Sequence, residues 1–147
     1  MEIVERISKH GATWQEIELL EQRIKRQLPD DYRQFLVSEN GGRPAPTAFE
    51  GPEGDGSVIH FFFTLDASSP YYRMHNELDM LHDRIPSDLL PIASDDFGNI
   101  ILLDLGAKSV GAIYFWDHEN ENMDGDPWWD NISYIAPSFS TFVENLH

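Results

Sequence analysis

The stretch Leu90–Glu119, LPIASDDFGNIILLDLGAKSVGAIYFWDHE, decides the fold. It reads as strand, polar turn, buried strand, turn, buried strand and acidic exit. Asp95, Asp96, Gly98 and Asn99 tolerate the tight and positive-φ conformations that a hairpin turn demands. Ile100–Leu103 and Ala112–Trp116 are unbroken apolar runs, the pattern of central strands covered on both faces. Asp104 follows the first run and requires a partner if it is buried. Leu89–Ala93 is a shorter strand ahead of both.

On the N-terminal side the chain is helical. Residues 2–9 place Ile3, Val4 and Ile7 on one side of a short helix that Gly11 ends. Thr13 and Glu16 have capping-box spacing, each side chain able to bond the other's backbone N–H. Ile17, Leu20, Ile24 and Leu28 then form an apolar stripe. Glu21 and Lys25 stand at the favourable i,i+4 order on the wet side, and Pro29 closes the helix. A second helix opens at Pro29 or Asp30, turns Tyr32, Phe35 and Leu36 inward, and stops at Asn40-Gly41-Gly42. Residues 43–57 are polar and rich in Gly and Pro, and read as a long loop. Within it, GPEGDG (Gly51–Gly56) is a turn whose two acids would repel a phosphate.

Val58–Leu65, VIHFFFTL, is a strand by its β-branched and aromatic content. Ser69-Pro70 opens a helix that runs to about Asp83, with Tyr72, Leu78 and Leu81 inward. Residues 117–131 are an acidic loop, and Ile132–Ile135 is the last strand. Pro137 and Ser138 start a terminal helix with Phe139, Phe142, Val143 and Leu146 inward. Helices first, strands next and one closing helix give an α+β fold: a single domain over 1–147, its mainly antiparallel twisted sheet flanked by N-terminal helices and a C-terminal helix.

The chain of 147 residues suits one core and is large enough to need no disulfide staple; it has no cysteine. The N-terminus has acids and no apolar run, so no secretory signal is expected. No apolar stretch approaches the ~20 residues of a membrane helix, and the expected location is cytoplasmic. The net charge is −16, and it is unevenly placed. Residues 1–43 carry eight acids and seven Lys/Arg, whereas residues 44–147 carry eighteen acids and three Lys/Arg. Direct binding to nucleic acid or to an anionic membrane is therefore not expected, because phosphate recognition needs clustered cations. A basic protein would be attracted; a plain acidic, solvated surface explains the same charge.

The acidic loop, DHENENMDGDPWWD, holds Asp117, Glu119, Glu121, Asp124, Asp126 and Asp130 with no Lys or Arg. Aligning Gly125 with the invariant glycine of an EF-hand puts Asn120 and Asn131 at its first and last ligand positions, where acids are required. An irregular metal site, a solvated loop and a partner-facing surface remain. Trp128 and Trp129 favour the last, since Trp is enriched at binding hot spots, although at least one of them is expected to cover the sheet. Asp117-His118-Glu119 has only a superficial acid–base character. In an extended segment the two acids share one side and His118 faces away. The six histidines form no HExxH, and His75 and His82 are expected at the surface. No nucleophile elbow, Walker loop or dinucleotide fingerprint is present.

The ordered set of LPDDYRQFLVSENGGRP (Leu28–Pro44), the Leu90–Glu119 stretch and YIAPSFSTFVENL (Tyr134–Leu146) resembles the SUKH superfamily of Smi/Knr-type domains. The resemblance spans most of the chain. It implies the α+β architecture read above and, in the bacterial branch, a non-catalytic immunity protein that binds and neutralises a toxin domain, with no cofactor or metal. Many such toxins are nucleases with basic surfaces, which the acidic half of this chain complements. The expected partner-binding residues are Asp117, Glu119, Glu121, Asp124, Asp126, Trp128 and Trp129. The alternatives are an interaction module of cell-wall regulation, whose eukaryotic forms carry flanking disordered segments, and a metal-dependent hydrolase built on the acidic loop.

Overall fold

The computed structural model describes all 147 residues. Its centre is an antiparallel meander of six strands in sequential order: β3 (Ala48–Glu50), β4 (Gly56–Phe62), β5 (Leu89–Asp95), β6 (Ile100–Asp104), β7 (Ile113–Trp116) and β8 (Ile132–Ala136). A two-stranded sheet of β1 (Glu2–Glu5) and β2 (Arg43–Ala45) lies beside it. Four helices complete an α+β domain: α1 (Trp14–Ile24), α2 (Asp30–Ser38), α3 (Met74–Met80) and α4 (Phe139–Glu144).

The deciding hairpin forms as read. Ile100 pairs with Ser94 and Leu103 with Leu90, and Gly98 takes a φ of 89° in the turn. Asp95 is the clasp of this turn. It is 3 % exposed, and its carboxylate accepts from the N–H groups of Phe97 (2.8 Å) and Asn99 (2.7 Å), the Asn99 amide (2.9 Å) and the Ser57 hydroxyl (2.8 Å). Asp104 is also buried and has partners: it accepts from the Gly106 N–H and the Ser109 hydroxyl.

Strand β4 separates two packed layers, because successive side chains of a strand point to opposite faces. Phe62 meets Phe35 of α2 and Phe139 of α4 at ring separations of 5.0 and 5.9 Å. Phe61 meets Tyr71 and Tyr72 of a 3-10 turn (Pro70–Tyr72) at 5.2 and 4.8 Å. The Thr13–Glu16 capping box and the Ser138 cap of α4 are both formed.

Six expectations need correction. Residues 2–5 form a strand, not a helix, because antiparallel pairing with Arg43–Ala45 gives their backbone partners that one short helical turn lacks. The segment 43–57 is accordingly not one loop, since it supplies β2, β3 and the start of β4. Helix α1 ends at Ile24, with Lys25 left-handed at φ 57°, before Pro29 acts. Glu21 then does not pair with Lys25; it binds the Leu28 N–H (2.7 Å) and Arg33 (2.9 Å), joining α1 to α2. Helix α3 stops at Met80, short of Asp83, and its deepest residue is Met74. Strand β7 is not covered on both faces: Tyr114 and Phe115 are partly exposed, while β6 is buried throughout.

Asp95→Ala is expected to destabilise the protein by about 3 kcal/mol in urea unfolding, because it strands two backbone donors and an amide at a buried turn. Asp96→Ala, next to it and exposed, is expected to cost less than ~0.5 kcal/mol in the same experiment.

Candidate partner-binding surface

The acidic loop leaves β7 at Trp116 and returns into β8 at Ile132, and its two ends are tied together. The Asp117 N–H donates to the Asn131 carbonyl (3.0 Å), and the Asn131 amide donates to the Asp117 carbonyl (2.8 Å). The Asp117 carboxylate caps a 3-10 turn at His118–Asn120, accepting from the Glu119 N–H (2.9 Å) and the Asn120 amide (2.6 Å). The segment is therefore not extended, and the expected alternation of Asp117, His118 and Glu119 does not hold. His118 turns toward the β5–β6 hairpin, where its N–H donates to Asn99 Oδ1 (3.1 Å) and its Nδ1 lies 2.6 Å from the same atom.

Glu121 is the second anchor. Its two carboxylate oxygens receive Nη2 and Nε of Arg84 at 2.8 and 3.1 Å, a bidentate pair that straps the loop to the segment after α3. The Arg84 guanidinium lies 5.5 Å from the centre of the Trp116 ring. The hydrogen bonds to Glu121 hold Arg84 above the usual arginine range. Glu119, Asp124, Asp126 and Asp130 are exposed, and no cation is paired with them. The loop thus uses two of its acids for structure and presents four to solvent.

Both Trp128 and Trp129 lie on the surface, at 40 % and 47 % exposure, so neither is the core residue that one of them was expected to be. The core Trp is Trp116, 2 % exposed and already in place under the loop. Trp128 donates its indole N–H to the Asn120 carbonyl at 3.1 Å. Trp129 packs edge-on against Tyr114 at 5.3 Å, and Tyr114 meets Tyr134 at 5.8 Å. The sequence reading missed these two tyrosines. Tyr114 sits in a run that reads as fully buried, and Tyr134 is visible only as one member of an alternating strand. Together they extend the Trp129 surface into an aromatic ladder across β7 and β8.

The loop carboxylates do not converge on a point. The one group of three ligand-type side chains whose atoms lie within 4.8 Å of one another is elsewhere: His10, Glu16 and Asp66. There the His10 Nε2 is 2.9 Å from Asp66, whose other oxygen accepts from the Asn40 amide (2.7 Å) and the Ser8 hydroxyl. Glu16 closes the α1 capping box. His75 stands beside Arg23, and burial together with that cation lowers its pKa; His82 is exposed.

Residues 11–145 match the SMI1 / KNR4 family (SUKH-1). The chain belongs to this family. It is also 30 % identical over 152 aligned positions to the SPbeta prophage-derived uncharacterized protein YokK of Bacillus subtilis (strain 168), an alignment that covers 91 % of this chain and 74 % of YokK. Membership of SUKH-1 is consistent with an immunity-type protein that works through protein–protein contact. No helix of this SUKH-1 domain is long and apolar enough to cross a membrane.

The division of labour within the loop sets an expectation for stability. Asp124→Asn, Asp126→Asn and Asp130→Asn should each shift unfolding by less than ~0.5 kcal/mol, as exposed substitutions do. Glu121→Gln should cost about 1–2 kcal/mol, since it removes a bidentate charge-assisted pair whose carboxylate is largely shielded. Urea titrations of the four variants measure the contrast.

Proposed function

We propose that this SUKH-1 protein is a non-catalytic immunity protein that binds and neutralises a cognate toxin domain, and that the toxin presents a basic surface. The observation that carries the reading is that exposed acids and exposed aromatics occur together in one loop and the strands it joins. Glu119, Asp124 and Asp126 share the β7–β8 loop with Trp128 and Trp129, and Trp129 packs on Tyr114, which meets Tyr134. Exposed carboxylates steer a basic partner from a distance, while half-exposed aromatic rings bury area at low entropic cost once contact is made. Asp117 and Glu121 serve the same surface by holding its shape. An inhibitor of this kind covers a basic groove and needs no bond-making chemistry of its own.

The roles of acids and rings separate kinetically. Long-range attraction is screened beyond ~8 Å at physiological salt and acts on association. Changing Glu119, Asp124 and Asp126 to their amides should slow association about ten-fold at low salt and flatten its salt dependence. Trp129→Ala should leave association nearly unchanged and quicken dissociation by a factor equivalent to ~2 kcal/mol. Stopped-flow mixing with the toxin domain encoded by the neighbouring gene measures both. In co-expression, growth should return only near one inhibitor per toxin; rescue at a small fraction of that ratio would mean turnover and would overturn the proposal.

A further inference from the structure

A cavity of about 340 Å³ opens on the face of the sheet away from α2 and α4, next to the root of the acidic loop. Its walls are Phe61, Tyr71 and Trp116, and its polar groups include Glu77, Ser94 and Asp96. Phe61 and Trp116 are the buried floor, at 1 % and 2 % exposure. The Glu77 carboxylate, half-buried on α3, forms no salt bridge or hydrogen bond. Burial raises its carboxyl pKa, against the opposing pull of Arg84. The Ser94 hydroxyl is buried and has no hydrogen-bond partner in the chain.

The charges facing this cavity do not balance. Arg84 is the one arginine or lysine among its lining residues, and Glu121 already takes its guanidinium. Asp95 is spent on the hairpin turn, and the His118 Nδ1 faces Asn99. His60 packs against Phe61 at 5.1 Å. Glu77 has only this already-paired arginine as a nearby cation, and Asp96 forms no ion pair. A larger cavity of about 470 Å³ between α1, α3 and β5 differs in this respect: its rim arginines, Arg23 and Arg26, are already paired with Asp79 and Asp88.

A partly desolvated carboxylate with no salt bridge of its own, aromatic walls and an idle hydroxyl is the chemistry that receives an organic cation. The carboxylate supplies charge-assisted hydrogen bonding, and the ring faces attract the cation's positive charge. We propose that this cavity is the socket for a lysine or arginine side chain projecting from the protein partner, with Glu77 as the counter-charge. This rests on the reading of the protein as a binder of a basic toxin and names where one of the toxin's cations is seated. The cavity is within reach of the same interface, because His118, which lines it, is part of the acidic loop.

The test uses small probes, so that it stands apart from any choice of toxin. ¹⁵N-labelled protein is titrated to about 50 mM with N-acetyl-arginine amide and, as a neutral isostere, N-acetyl-citrulline amide, the weak range that a single side-chain contact supplies. The arginine probe should shift the amides of Ser94, Asp96 and Gly98 and the Trp116 indole, saturably, and citrulline should not. Glu77→Gln should weaken the arginine probe at least about five-fold, and Asp130→Asn, an exposed acid outside the cavity, should leave it unchanged. Equal shifts with both probes, shifts confined to the acidic loop, or equal losses in the two variants would overturn the socket. If the probe binds as expected but the neighbouring toxin is not neutralised in co-expression, the immunity reading fails and the socket stands. If the toxin is neutralised but Glu77→Gln leaves its affinity unchanged, the socket is not part of that interface.

Discussion

The structure hangs on one buried side chain. Asn40 is fully buried at the end of α2, with φ 51°, and is followed by Gly41 and Gly42 at φ 87° and 109°. Its carbonyl oxygen accepts from the Leu65 N–H at 3.0 Å, and its amide donates to Asp66 (2.7 Å) and Ser8 (3.1 Å). Gly42 and Phe62 then exchange backbone hydrogen bonds at 3.1 and 2.8 Å. The N-terminal segment, the end of α2 and the exit of β4 thus meet at one point. Three successive left-handed residues are needed there, which explains why the sequence reads Asn-Gly-Gly. A Cβ on Gly41 would lie 2.6 Å from the carbonyl oxygens of Phe62 and Phe63, so the turn admits no side chain.

That junction fixes which face of the sheet is closed. Once α2 is docked through Asn40, Phe35 lies on Phe62, and Phe139 of α4 packs against both. The opposite face receives the Pro70–Tyr72 turn and the short α3, beside which a cavity lies over Phe61 and Trp116. Arg84 then connects this thinner layer to the acidic loop through Glu121. The candidate surface therefore borders the less covered side of the sheet, and its loop is held at two places: its ends by the Asp117–Asn131 bonds and its interior by Arg84 on Glu121.

The parts of this arrangement that were legible in the sequence are those decided locally. The hairpin at Asp95–Asn99, the capping box at Thr13 and the stop at Asn40-Gly41-Gly42 are turn and cap chemistry, and each forms where its residues stand. Strand β1 was not legible, because four residues carry too little periodicity and their state is set by Arg43–Ala45, about forty positions away. The pairing of Glu21 with Arg33 in place of Lys25 has the same origin: a helix that ends early frees a carboxylate for the next one. In the candidate site, the charges were legible and their division was not. Nothing near Glu121 in sequence announces Arg84, and nothing in the loop's sequence distinguishes the exposed Trp128 and Trp129 from the buried Trp116.

The division bears directly on the net charge of −16. Arginines are consumed internally: Arg6, Arg23, Arg26, Arg33, Arg43 and Arg84 each lie within 3.0 Å of a carboxylate oxygen. The surplus of acids is thus not a diffuse property of the surface. It remains where the chain has almost no cations, beyond residue 43, and the acidic loop concentrates four of its free members. Such a field opposes the compact state through self-repulsion, and a basic partner of the kind proposed would relieve that repulsion as it binds. Association and folding are then linked through the same carboxylates, because a partner that binds only the folded chain also stabilises it. Under the proposed function, the acids that weaken the free protein would give the complex its driving force, whereas Asp95, Asp104 and Glu121 are each held by specific donors within the fold.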